Sequence, residues 1–96
     1  MTTLTLKSSR QQPLRPLIEA ALENELRVLD AGIRRTEERL RAFEEKYTLS
    51  SDEFLRLVEQ DALPETMETI EWLGELRLLE RLREKANTLR EIQFAN

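Results

Sequence analysis

Residues 22–47 read LENELRVLDAGIRRTEERLRAFEEKY, and this stretch decides the fold. Eight of its positions are separated by alternating steps of four and three residues, and seven of the eight are apolar or aromatic. They are Leu22, Leu26, Leu29, Ile33, Thr36, Leu40, Phe43 and Tyr47. This spacing is typical of one face of a coiled-coil or bundle helix. It predicts a helix over residues 14–47, unbroken at Gly32 although an interior glycine costs about 1 kcal/mol.

A strong helix-start signal follows, LSSDEF, beginning at Leu49. Ser50 takes the N-cap position and Glu53 stands three residues later, which is the spacing of a capping box. The apolar residues on either side, Leu49 and Phe54, are placed to form a hydrophobic staple. The signal therefore predicts a short second helix over residues 50–60.

Pro64 disfavours helical geometry in the residue before it, so the next helix is expected after it, over residues 65–94. Its apolar positions spread widely around the helix, which suits an element with more than one neighbour. They are Ile70, Leu73, Leu76, Leu79, Leu82, Ala86, Leu89 and Ile92, with Trp72 and Leu78 beside them. Two long helices joined by a short one must lie antiparallel. We expect an all-α helical hairpin domain over 14–96 that forms a homodimeric four-helix bundle or coiled coil.

Residues 1–13 form a separate N-terminal arm, which we expect to be flexible or to contain a short strand. Residues 2–7 alternate in period two, with Leu4 and Leu6 on one side of the chain. An isolated strand has no pairing partner within this chain, so it would have to pair with a second copy or another protein. A dimeric DNA-binding regulator is one alternative function. Its contacts would come from the polar and basic arm residues Thr3, Thr5, Lys7 and Arg10.

The composition excludes several classes of active site. The 96 residues include no Cys, no His and only two Gly, so Cys/His zinc sites, cysteine nucleophiles, histidine triads and glycine-rich phosphate loops are ruled out. We expect no enzymatic activity, no cofactor and no metal. The beginning of the sequence has no apolar signal-peptide core and no stretch long enough to span a membrane. We therefore expect a cytoplasmic protein without a membrane partner.

The charge is concentrated in the middle of the chain. Residues 44–75 hold ten acidic and two basic residues, whereas residues 1–18 hold three basic residues and no acid. An acidic surface of this kind promotes solubility, and it also attracts a basic partner. Complementary charge speeds encounter, while aromatic residues supply lasting affinity. The predicted partner-binding residues are Glu65, Glu68, Glu71, Trp72 and Tyr47.

The segment FEEKYTLSSDEF, from Phe43 to Phe54, is followed by Leu-Pro at 63–64 and Glu-Trp at 71–72. It resembles a group of small helical prokaryotic proteins, several of which look like antitoxin partners in toxin–antitoxin loci. Thr48 stands where that pattern usually has Gly. The resemblance implies a non-enzymatic protein that binds and masks a toxin. The open alternatives are the DNA-binding regulator and a purely structural coiled-coil bundle.

Overall fold

The computed structural model describes residues 2–10 and 13–94. Three helices follow one another, α1 (Leu14–Tyr47), α2 (Ser51–Glu59) and α3 (Met67–Arg90), and the expected all-helical hairpin is confirmed. A strand at residues 2–7 that pairs with a second copy or another protein stays a prediction, since the described part of this single chain contains no strand and these residues are exposed. The physical reason for its absence in the single chain is the missing pairing partner, since a single strand leaves its backbone hydrogen bonds to water.

The third helix is shorter than the expected 65–94 at both ends. It begins after Thr66, whose Oγ1 accepts a hydrogen bond from the Thr69 backbone N–H at 3.2 Å. Thr69 Oγ1 in turn accepts the Thr66 N–H at 2.8 Å, so two threonines form the capping box. After Arg90 the chain leaves the helix, and the ring of Phe94 lies 5.3 Å from the guanidinium carbon of Arg15. This cation–π contact joins residues 91–94 to the first turn of α1.

The helices α1 and α3 pack antiparallel along most of the molecule, which measures 60 × 25 × 18 Å. Ion pairs mark the register of the pair. Lys46 Nζ lies 2.7 Å from Glu68 Oε1 near one end, and Arg90 Nη2 lies 2.6 Å from Asp30 Oδ1 towards the other. The helix α2 packs where α1 stops and α3 starts. We call this end, built from residues 44–75, the acidic end.

The core is small and follows the heptad spacing of α3. Trp72, Leu79 and Ala86 are seven residues apart and all buried, so each lies two turns beyond the last on one face. The remaining buried residues are Leu29, Thr36, Leu40 and Phe54. Ile70 and Ile92, counted among the apolar positions of this helix, are 51% and 44% exposed in the single chain. Ile70 lies about half a helical turn from the buried Trp72, and Ile92 lies beyond the end of α3.

Thr36 is the one buried polar residue among those described, and its hydroxyl is satisfied within the helix. Its Oγ1 donates to the Gly32 carbonyl at 2.9 Å and accepts a bond from Arg39 Nη2 at 3.3 Å. Gly32 stays helical, as expected, and a Cβ placed on it would lie 3.5 Å from Leu82 Cδ1. Within the described ranges, no helix is both long and apolar enough to cross a bilayer.

Candidate functional site

An aromatic cluster fixes the acidic end, with the Trp72 indole at its centre. The ring of Phe54, from α2, stacks on the indole at a centroid distance of 4.0 Å and an interplanar angle of 3°. Phe43 and Tyr47, one turn apart on α1, stack at 5.5 and 5.8 Å. Aromatic rings of this size bury a large apolar area each, so the cluster holds all three helices together at this end.

Two adjacent serines at the start of α2 make different hydrogen bonds, and only the second joins α2 to this cluster. Ser50 Oγ accepts from the Glu53 backbone N–H at 3.1 Å, which confirms the predicted N-cap. Ser51 Oγ accepts from Trp72 Nε1 at 3.0 Å and so satisfies the indole N–H. The Ser51 backbone N–H donates to Glu44 Oε2 at 2.8 Å, so a carboxylate of α1 lies at the N-terminus of α2.

Glu68 is shared by two side chains of α1. Lys46 Nζ lies 2.7 and 2.8 Å from its two carboxylate oxygens. Hydrogen bonds from Lys46 and then Tyr47 hold the pKa of Glu68 below its usual value. The same hydrogen bonding raises the pKa of Lys46 and the pKa of Tyr47 above their usual values. All three groups are solvent-accessible, so this network orders side chains on the surface and contributes little to overall stability.

An open groove of about 530 Å³ runs between α1 and α3 at the acidic end. Its lining residues are Arg39, Ala42, Phe43 and Lys46 from α1 and Glu68, Glu71, Gly74 and Glu75 from α3. Glu75 Oε1 pairs with Arg39 Nε at 3.0 Å, while its Oε2 is shielded from solvent and has no hydrogen-bond partner. The groove therefore has an apolar floor, two cations along one wall and three carboxylates along the other.

The outer face of the first turns of α3 exposes apolar side chains among these carboxylates. Met67 is 73% exposed and Ile70 is 51% exposed, and they lie three residues apart on one face. Glu65 and Glu71 lie beside them and have no ion-pair partner among the described residues. Exposed apolar side chains next to unpaired carboxylates are suited to bind an amphipathic basic segment.

The structure brings the five predicted partner-binding residues to one end of the hairpin, but they differ in solvent exposure and in whether they are already paired. Glu65 and Glu71 are exposed, and Tyr47 is 44% exposed. Glu68 is half-buried and already paired with Lys46. Trp72 is 1% exposed and lies in the core, so its indole offers no surface to a partner.

Sequence reasoning missed three residues of this surface. Met67 follows directly after the N-cap Thr66 and is 73% exposed. Gly74 lies inside α3, and a Cβ placed on it would meet nothing within 4 Å. Both residues lie outside the heptad of Trp72, Leu79 and Ala86, which forms the buried face of α3. The partner of Glu68, Lys46, could not be found without the register between α1 and α3.

The residues considered for DNA contact, Thr3, Thr5, Lys7 and Arg10, lie in the arm and are exposed. In the single chain residues 2–10 contain no strand, and the DNA-binding alternative, which needs two arms paired across a dimer, stays a prediction. Among the residues that the structure describes, no three acidic side chains come close enough together to hold a metal ion.

No family model, curated protein or solved structure significantly matches this chain. The likeness to antitoxin partners therefore stays a prediction from the residues at 43–72.

Proposed function

We propose that this chain is a non-enzymatic interaction module that binds a basic protein partner through its acidic end, in the manner of an antitoxin. The observation that carries the proposal is the pairing of exposed Met67 and Ile70 with the unpaired carboxylates of Glu65 and Glu71 on one rigid surface. The carboxylates attract a cationic partner, and the apolar side chains lose water when it docks.

The aromatic cluster supports this role by keeping the binding surface preorganised. Phe54, Trp72 and Phe43 stack directly beneath the first turns of α3, so those turns do not have to become ordered on binding. A surface that is ordered before binding loses less entropy when the complex forms. The Glu68 carboxylate also holds Lys46 beside the same surface, which further reduces the entropy lost on binding.

The test uses a synthetic amphipathic helical peptide with Lys and Arg on one face and Leu on the other. A control peptide replaces every Lys and Arg with Gln. We expect the basic peptide to bind, and the variant Glu65→Lys/Glu71→Lys to slow its association and weaken the salt dependence. The matched control is Glu23→Lys/Glu25→Lys, which changes the net charge equally on exposed positions of α1 outside the acidic end. Association rates at two salt concentrations provide the measurement.

A second pair of variants separates affinity from encounter. Met67→Ala/Ile70→Ala should raise the dissociation rate of the basic peptide while changing the free energy of unfolding by less than about 0.5 kcal/mol per site, because both side chains are exposed. The proposal is wrong if the basic peptide does not bind the native chain. It is also wrong if the two charge-reversal variants slow association equally.

A further inference from the structure

The N-terminal arm is an unpartnered basic segment that exposes apolar side chains. Every described residue from 2 to 10 is exposed, with Leu4 at 79% and Leu6 at 50%. In an extended chain successive side chains alternate, so these two leucines lie on the same side. Lys7 and Arg10 give the segment its positive charge, and it contains no acid.

The groove at the acidic end is complementary to this segment in both respects. Its floor includes Phe43, Ala42 and Gly74, which accept leucine side chains and the close approach of a backbone. Of its three carboxylates, Glu68 and Glu75 are paired with Lys46 and Arg39, while Glu71 is exposed and has no cationic partner among the described residues. We propose that this groove binds the N-terminal arm of a second copy, so that two chains exchange arms in an antiparallel homodimer. The inference rests on the proposed function, since it names a partner for the same acidic end.

The arm cannot fill the groove of its own chain. A fully extended chain covers at most about 3.6 Å per residue, so Lys7 reaches no more than about 25 Å from Leu14. A helix rises about 1.5 Å per residue, which puts Arg39, at the near edge of the groove, about 38 Å along α1. Leu6 reaches no more than about 29 Å, so Leu6 and the two basic residues of an arm reach the groove only from another molecule.

The exposed face of α1 supports an antiparallel arrangement of the two copies. Leu17, Val28 and Arg39 are eleven residues apart, which is close to three turns, so they lie on one face with the groove. Leu17 is 56% exposed and Val28 is 55% exposed. Val28 is also the midpoint between Leu14 and Ala42. A two-fold axis at Val28 sets the start of each α1 beside the groove of the other copy and buries these apolar side chains.

The surface area of the chain matches what such a dimer needs. The accessible area is 8034 Å², whereas a compact monomer of this mass has about 5,700 Å². The excess is about 2,300 Å² and includes the exposed arm. Obligate homodimers bury about 2,000 Å² or more in total, shared between two chains. An interface of about 2,000 Å² would remove about 1,000 Å² from each chain, so the excess area is more than sufficient for such a dimer.

Cysteine crosslinking tests the proposal in the full chain, which has no native cysteine to interfere. The variant Leu6→Cys/Gly74→Cys places one thiol in the arm and one in the groove floor. Mild oxidation should give a covalent dimer on a non-reducing gel, because the arm reaches only a second copy. The matched control is Leu6→Cys/Glu59→Cys, since Glu59 is exposed on α2 and α2 contributes no residue to the groove. Equal crosslinking in both variants overturns the proposal.

Charge exchange supplies a second readout. Sedimentation of the native chain at micromolar concentration should show a dimer, and a monomer at that concentration overturns the proposal. Lys7→Glu/Arg10→Glu should raise the dimer Kd about tenfold, because at each of two grooves the exposed ion pair with Glu71 is lost and like charges are brought together. Glu71→Lys alone should also raise it. Combining Lys7→Glu with Glu71→Lys should restore part of the affinity, which a purely structural effect at either site would not do.

These results can be told apart from a failure of the proposed function. If the chain is a dimer whose Kd does not change in Lys7→Glu/Arg10→Glu, arm exchange is wrong, and binding of the basic amphipathic peptide still decides the proposed function. If the dimer crosslinks through the groove and the basic peptide does not bind the Lys7→Glu/Arg10→Glu chain, arm exchange stands. In that case the acidic end serves self-association instead of a different protein.

Discussion

The hydrogen bond from Trp72 Nε1 to Ser51 Oγ allows a quantitative test of how α2 is held on the hairpin. The bond is 3.0 Å long, and the indole is 1% exposed. Ser51→Ala removes the acceptor and leaves the indole N–H with no partner and no access to water. An unsatisfied buried donor costs about 1–3 kcal/mol. Alanine is a better helix former than serine by a few tenths of a kcal/mol. The net loss in the free energy of unfolding should therefore be about 1–2 kcal/mol.

A double-mutant cycle isolates this bond from the packing of the ring. Trp72→Phe keeps an aromatic ring against Phe54 and removes the N–H donor, so Ser51 has nothing left to satisfy. In the Trp72→Phe background, Ser51→Ala should cost less than about 0.5 kcal/mol, which gives a coupling energy of about 1 kcal/mol. The neighbouring Ser50→Ala is the matched control. It removes the N-cap, with a loss of about 1 kcal/mol, and should be additive with Trp72→Phe.

The assay is urea unfolding followed by circular dichroism at one protein concentration, since any self-association would make stability depend on concentration. For a domain of this size, 1–2 kcal/mol corresponds to a fall in Tm of roughly 4–16 °C. If Ser51→Ala and Trp72→Phe are additive, the hydrogen bond contributes nothing, and α2 is held by ring stacking alone. If Ser50→Ala couples to Trp72→Phe as strongly as Ser51→Ala does, the separate roles assigned to the two serines are wrong.

Three further changes have outcomes that follow from single features. Thr48 has φ 49° and ψ 51°, a left-handed conformation that costs an L-residue about 1–2 kcal/mol. Thr48→Gly should therefore raise the free energy of unfolding by about 0.5–1 kcal/mol. In urea titrations Thr48→Ala should be less stable than Thr48→Gly. Gly74→Ala should raise it by about 1 kcal/mol, because the new methyl group meets open space in a helix interior, and a loss of stability would contradict the placement of Gly74. Hydrogen bonding lowers the pKa of Glu68, so the stability that its carboxylate contributes is present above about pH 4.5 and is lost in more acidic solution. On acidification below that pH, the native chain should therefore lose more stability than the Glu68→Gln variant. The raised pKa of Tyr47 works in the opposite direction, and its contribution is lost above about pH 10.

The local signals in the sequence predicted the elements well, because helix periodicity and capping depend on neighbours in the chain. The bounds of α1 and the N-cap at Ser50 are confirmed. The departure noted at Thr48 has a structural counterpart, since this residue adopts the left-handed conformation that glycine adopts without strain. The start of α3 was misplaced because a Thr66–Thr69 capping box is a weaker sequence signal than one with Glu.

The candidate site was less predictable, because its properties depend on contacts between helices. The acidic charge near Glu65 and Glu71 was evident from composition. Burial of Trp72 depends on α2 bringing Phe54 over it, and no local pattern encodes that contact. Ile70 fitted a stripe of three-residue steps, but the heptad of Trp72, Leu79 and Ala86 gives the face that packs, and Ile70 lies outside it. Packing against the neighbouring helix decides which of these two sets of apolar positions is buried.

The distribution of layers along the hairpin connects these observations to function. At the acidic end, α2 adds a third layer, and Phe54 and Trp72 are almost completely buried there. Beyond the last turn of α3 at Arg90, the ring of Phe94 contacts the first turn of α1 at Arg15, and Leu17 and Val28 stay exposed. Local stability increases with the amount of buried apolar contact. The first turns of α1 should therefore be the first part of the chain to unfold locally, and the acidic end should be the last. A binding surface belongs on the stable end, while the less stable end gains most from a second copy.

Hydrogen exchange should therefore show slow exchange in amides near Trp72 at any concentration, and protection of residues 17–28 that rises with protein concentration. Equal protection of both ends in dilute solution would contradict this division.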